Sequence, residues 1–225
     1  MFADRRAAGR ALAVRLEHLR DQDVVVLALP RGGVPVGYEV AKALDAPLDV
    51  LLVRKIGTPL QPELAAGAVV NGAHPVVVLN EDVVQAYAID DDYLQAEVER
   101  QAEEIERRRR RYCAGHPPVD VTGRVAVVID DGIATGATVR AALQAVHRLG
   151  PRRLILAAPV APPESVRRLR READEVVVLE TPAAFAAIGQ FYRDFHQLED
   201  IEVIELLDDR ARELAPRGGQ PAAPA

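Results

Sequence analysis

Cysteine is almost absent from this chain. Cys113 stands alone, which excludes an intramolecular disulfide and a thiolate metal centre. Lysine is nearly as scarce, with only Lys42 and Lys55, so positive charge is carried by arginine. The five histidines are scattered and show no metal-ligand spacing. There is no tryptophan, and aromatics amount to five tyrosines and four phenylalanines. No apolar run approaches the ~20 residues of a membrane span, and the start Met1-Phe2-Ala3-Asp4-Arg5-Arg6 does not read as a signal segment. A cytoplasmic protein without membrane contact is expected. The net charge of −6 argues against a nucleic-acid partner.

What is present is an ordinary globular composition, 49% hydrophobic over 225 residues, enough for one sizeable α/β domain. Leu12, Leu16 and Leu19 share a face of a helix over 4–20. The apolar runs 24–29, 48–53, 124–129, 154–158 and 176–179 read as strands buried on both faces. Helices are expected from Pro35, burying Val36, Val40 and Leu44, and over 138–149, 163–171 and 201–214. Alternating strands and helices predict an α/β fold, a doubly wound five-stranded parallel sheet with ligands at the strands' carboxyl ends. Residues 56–118 interrupt the alternation: a loop over 56–62, a hairpin of 68–70 with 76–79, and a long helix from Asp90 or Asp91 to Arg111. Leu94, Val98, Ala102 and Ile105 form that helix's stripe. The block Arg107 to Arg111 reads as a solvated helix end, paired at i,i+4 with Glu103, Glu104 and Glu106. The domain is taken as 1–214, with 215–225 a disordered tail.

The chemistry concentrates in Val127-Val128-Ile129-Asp130-Asp131-Gly132-Ile133-Ala134-Thr135-Gly136-Ala137-Thr138. A buried strand ends in two carboxylates, followed by a small hydroxyl-bearing loop and a helix start. Backbone N–H groups and threonine hydroxyls suit a phosphate. Paired carboxylates suit vicinal sugar hydroxyls or a magnesium ion held through water. A sugar phosphate satisfies both halves. The turn Pro30-Arg31-Gly32-Gly33 closes the first strand.

Together these segments resemble type I phosphoribosyltransferases over about 27–179. The wider pattern (ALPRGGVPVG, VRKIGTP, IDDGIATGAT) is similar to a branch whose acceptor is undefined. The resemblance implies a Rossmann-like type I fold with a hood and a flexible-loop insertion. It also implies phosphoribosyl pyrophosphate (PRPP) as substrate, Mg2+ as cofactor, a nitrogen heterocycle as acceptor, and a homodimer. Carried over, Asp130 and Asp131 hold the ribose hydroxyls and steer the magnesium. Gly132, Ala134, Thr135, Gly136, Ala137 and Thr138 cradle the 5′-phosphate. Arg31, Gly32 and Gly33, with Arg54 and Lys55, face the pyrophosphate. In relatives the bond entering this turn can be a non-proline cis peptide, which here would be Pro30–Arg31. Residues 56–72 occupy the place of the family's mobile loop, with Glu63 a candidate base. Segment 180–200 is the candidate hood, with Phe191, Tyr192 and Phe195 (near Phe185) facing the acceptor. His196 reads as a surface residue. Ala134 stands where 6-oxopurine salvage enzymes carry an aspartate, which disfavours that acceptor class. A PRPP sensor without turnover is the alternative, but no helix-turn-helix or basic RNA-binding face accompanies the site. Neither GxGxxG after the first strand nor GxxxxGK[ST] occurs, which disfavours dinucleotide and P-loop readings. A phosphosugar hydrolase would share the same pocket.

Overall fold

The computed structural model describes residues 1–61, 64–71, 75–113 and 117–215. The first helix, α1 (Arg5–Arg15), is capped by Asp4, whose carboxylate accepts from the Ala7 N–H. It is shorter than the expected 4–20. At Leu16 the chain tightens into a 3₁₀ turn over Glu17–Leu19, which still brings Leu16 and Leu19 into the core.

The remaining elements follow as β1 (Val24–Ala28), α2 (Gly33–Ala43), β2 (Leu48–Val50), β3 (Val53–Gly57), β4 (Ala65–Val70), β5 (Val76–Leu79), α3 (Glu81–Ala86), α4 (Asp91–Tyr112), β6 (Val125–Ile129), α5 (Ala137–Arg148), β7 (Arg153–Val160), α6 (Pro163–Leu169), β8 (Glu175–Glu180) and α7 (Asp200–Leu214). Five strands form a parallel sheet in the order β2-β1-β6-β7-β8. β1 and β6 are central and wholly buried. Side chains alternate across the pleat, so one face of the sheet packs Val25, Leu27, Ala126 and Val128 against α5, and the other packs Val24, Val26, Val125 and Val127 against α1 and α2.

The expected second strand over 48–53 divides. Its parallel part stops at Val50, and Leu51 and Leu52 turn the chain into β3 of a separate antiparallel sheet, β3-β4-β5. The reason is a polar pin. The Leu52 N–H donates to Asn71 Oδ1 (2.5 Å), and Asn71 Nδ2 donates to the Val50 carbonyl (3.0 Å). The expected hairpin is therefore a three-stranded sheet that already includes Arg54 to Gly57. Helix α3 adds an element absent from the sequence reading.

The arginine block also differs from its solvated reading. Arg107, Arg108 and Arg110 do pair along the helix, with Glu104 and Glu106. Arg109, however, is buried and donates both Nη atoms to Asp49 (3.1 and 3.2 Å), because the face of α4 that carries Ile105 turns it onto β2. Arg111 reaches Asp200 (2.8 Å). The expected tail beyond 215 lies outside the described residues, as does Glu63. No helix among the described residues is long and apolar enough to cross a membrane.

Candidate active site

The site forms where the two central strands end side by side. The Leu29 N–H donates to the Ile129 carbonyl (2.8 Å), which clamps the end of β1 to the end of β6. The chain then turns through Pro30–Arg31, joined by a cis bond as the resemblance implied, into α2. Gly32 has no alternative here: a Cβ would lie 2.0 Å from Asp131 Oδ2. The Arg-Gly-Gly turn and the acid pair, distant in sequence, are thus in direct contact.

The two acids are not equivalent. Asp131 is buried, and its Oδ2 accepts from Arg5 Nε at 2.7 Å. Its backbone carbonyl accepts from the Tyr192 hydroxyl (2.5 Å). Asp130 turns one carboxylate oxygen back to the Asp131 N–H (2.9 Å). Burial, followed by the charge of Asp131, pushes the Asp130 carboxyl well above the usual carboxylate range. Asp131 is also raised by burial, with Arg5 opposing the rise. Their oxygen donors fit magnesium, a hard ion that takes one or two carboxylates and keeps waters or phosphate oxygens in its other positions.

The loop over 132–138 follows. Ala134, Thr135, Ala137 and Thr138 are exposed, while Gly132 and Gly136 are buried beneath them. The loop is fixed from below: the Ile133 N–H donates to the Val160 carbonyl (2.9 Å), and Ser165 Oγ donates to the Ala134 carbonyl (2.6 Å). Gly136 adopts φ +77°, a left-handed conformation that directs the chain into α5. No side chain caps α5, so its first N–H groups face the loop's open side.

The predicted cationic residues fall into two places. Arg31 shares a cavity of about 310 Å³ with Arg5, Gly32, Asp131 and Phe195. Arg54 and Lys55, on β3, line a separate cavity of about 480 Å³ together with Ala137, Thr138 and Arg140. They therefore approach the helix end of the phosphate loop, and Arg31 approaches the acids. Arg54 Nε also donates to Gln101 (3.0 Å). Arg31 lies 3.6 Å from Asp200, which additionally accepts from Tyr112 Oη (2.7 Å).

The hood segment is bound to the amino-terminal residues. Phe2 and Tyr192 form a parallel bridge, and Arg193 and Asp194 donate to the Phe2 and Ala3 carbonyls. Tyr192 is a buried pillar, with rings of Phe2 (5.5 Å) and Phe195 (5.1 Å) packed on it. Phe191 stacks on Phe185 at 5.5 Å. Phe195 remains partly exposed, with the Arg5 guanidinium 3.8 Å from its ring centre. His196 is exposed between Asp194 (3.2 Å) and Glu202 (3.0 Å), which raise its pKa.

Sequence reasoning missed Arg5, Ser165 and Asp200. Only Arg5 left a signal. It sits in the first turn of α1, where the helix dipole disfavours a cation and where no acid is present, a signal it shares with the exposed Arg6.

Two Mycobacterium tuberculosis proteins (strains H37Rv and CDC 1551), each named "Putative phosphoribosyl transferase", are 51% identical over 223 residues, covering 99% of this chain. The chain spans about half the length of these curated relatives. The crystal structure of TT1426 from Thermus thermophilus superposes with a TM-score of 0.83 at 46% identity, over 93% of this chain and 98% of that one. The model of the phosphoribosyl transferase domain matches residues 4–196, and the chain belongs to that family.

Proposed function

We propose that this protein transfers the 5-phosphoribosyl group of PRPP to a nitrogenous acceptor and releases pyrophosphate. The observation that carries the reading is the contact between Gly32 and Asp131, which sets the Arg-Gly-Gly turn against the acid pair while the threonine loop stays open beside them. The loop's N–H groups and the Thr135 and Thr138 hydroxyls take the 5′-phosphate. Asp130 and Asp131 accept from the ribose hydroxyls. Arg31, with the Gly32 and Gly33 backbone, faces the departing pyrophosphate, and Arg54 and Lys55 supply positive charge from the β3 wall.

Magnesium, held at Asp130 and Asp131, supplies charge neutralisation for the pyrophosphate when bound. The residues contribute positioning and electrostatic stabilisation, the main requirements of a displacement through a cation-like anomeric carbon. The acceptor attacks from the face opposite the pyrophosphate. The C1–O bond to pyrophosphate breaks as the C1–N bond forms, and the acceptor nitrogen loses its proton. Ala134 offers no acid or base to a 6-oxopurine, which supports a different heterocycle. The exposed ring of Phe195 and the half-buried ring of Phe191 are the aromatic surfaces offered to such an acceptor.

The test is mass spectrometry of products from magnesium, PRPP and a panel of nitrogen heterocycles, with pyrophosphate measured alongside. A new nucleotide mass matched by pyrophosphate, and absent in Asp130→Asn/Asp131→Asn, is the expected result. Release of ribose 5-phosphate and pyrophosphate without any nucleotide would replace the transferase with a hydrolase.

A further inference from the structure

We infer that Arg5 is a positioning residue of the acid pair. It fixes Asp131 and ties that carboxylate to the aromatic segment at Phe195. The ligand half of this inference rests on the function proposed above. The positioning half does not.

Three contacts made by one side chain support it. Nε donates to Asp131 Oδ2 (2.7 Å), Nη1 donates to the His196 carbonyl (2.9 Å), and the guanidinium plane lies 3.8 Å from the Phe195 ring centre. The contacts join two segments: the chain just after β6, at Asp131, and residues 195–196 ahead of α7. Only a planar, multiply donating cation can serve all three, since a lysine ammonium has neither the fork nor the stacking face. Arg5 is 8% exposed, so its charge is paired where an unpaired one would be costly. Asp4 fixes the start of its helix by accepting from Ala7 (2.6 Å), which determines where Arg5 emerges.

The groups that face this pair come from several elements. Asp130 adjoins Asp131 on the strand end, and Arg31 enters from the turn. Tyr192 holds the Asp131 carbonyl from the hood. His196, with Asp194 and Glu202, lies on the outer side of Arg5. Among these, Arg5 is the cation that directly contacts the Asp131 carboxylate. Removing it leaves a buried carboxyl beside a second one, which favours the protonated form.

The decisive measurement is the carboxyl 13C NMR titration of Asp131 in the full chain, free of ligand. Asp130→Asn serves as background so that one acid of the pair titrates. In Arg5→Gln the Asp131 midpoint is expected to rise by about one pH unit or more. Arg5→Lys should raise it less. Phe195→Leu, which removes the stacking partner and keeps the ion pair, should leave it in place. Equal midpoints with and without Arg5 would overturn the inference, as would a rise in Phe195→Leu matching that of Arg5→Gln. Should Arg5→Gln fail to fold, Arg5→Lys and Phe195→Leu still separate the two outcomes. Calorimetry with magnesium and PRPP on the Asp130-containing protein then reads the ligand half, with affinity expected to fall about tenfold or more in Arg5→Gln. Unchanged affinity there would overturn that half. Failure of the parent protein to bind PRPP would count against the proposed function, and the titration would still decide the role of Arg5.

Discussion

The two sheets of this protein are held together by different means. In the parallel sheet, β1 and β6 are unbroken apolar runs, buried on both faces, and cohesion is spread over many side chains. In the antiparallel sheet the strands are only partly buried, and a few polar groups fix it in place. Asn71 bridges Val50 and Leu52. Asp49, on the edge strand β2 of the parallel sheet, anchors α4 by accepting from Arg109, and also accepts from the Val119 N–H (3.0 Å) and the Val50 N–H (2.8 Å). The acids and the phosphate loop stand on the first sheet, Arg54 and Lys55 on the second. Loss of one methyl group in the first is shared among neighbours, whereas loss of one pin at the junction of β2 with the second sheet and α4 leaves a whole set of groups unpaired.

This contrast can be broken in four places. The largest effect belongs to the acid pair: Asp130→Asn/Asp131→Asn should lower turnover by about 10³-fold or more, checked by pyrophosphate release. Asp130→Asn alone should also stabilise the free protein. The folded-state pKa of Asp130 is raised, so its stability contribution is full below the ordinary carboxylate pKa and is lost as pH rises through the folded value. Thermal melts of the variant and the parent should therefore converge in acid and diverge towards neutral pH, with the variant higher. A parent more stable at neutral pH would refute that environment for Asp130. The same sign predicts that ligand affinity strengthens as pH rises through the Asp130 titration.

Next comes the pin. Asp49→Ala leaves Arg109 buried without its partner and should cost about 3–5 kcal/mol in denaturant unfolding. Hydrogen exchange should quicken in β3–β5 and α4 before it does in β6. Uniform loss across both sheets would show that they cohere as one unit. Lys55→Gln, at an exposed position, should change stability by less than about 1 kcal/mol and weaken PRPP turnover or binding by about tenfold, the scale of one charge-assisted contact. An effect as large as that of the acids would move the chemical centre towards β3. Smallest of all, Arg107→Gln with Arg110→Gln removes exposed pairs and should change stability by less than about 1 kcal/mol, with turnover intact.

The parallel sheet was legible because its strands announce themselves as continuous apolar runs, and the Asp130–Thr138 segment because several chemical requirements meet in consecutive residues. Boundaries of β6, β7, β8 and α5 differ from the sequence reading by a residue or two. What was hidden depended on contacts distant in sequence. The break at Leu51 is made by Asn71, and nothing in the run from Leu48 to Val53 marks it. Arg109 reads like its neighbours until the packing of α4 on β2 selects it. Tyr192 reads like a surface for a base because aromatic residues cluster there, yet its ring supports Phe2 and its hydroxyl is committed to the Asp131 carbonyl. Pattern reveals which residues are apolar or reactive; it does not reveal which partner will claim them.

Asp200 carries a consequence of another kind. One carboxylate at the start of α7 serves Tyr112 and Arg111 from the end of α4, and Arg31 from the site. Two close partners and a more distant cation that share one carboxylate cannot vary independently. The effect of replacing Arg31 will depend on which residue occupies position 111, and the two will not combine additively in a double-mutant cycle. A substitution at the far end of a long helix, harmless in one background, would be felt at the reaction centre in another.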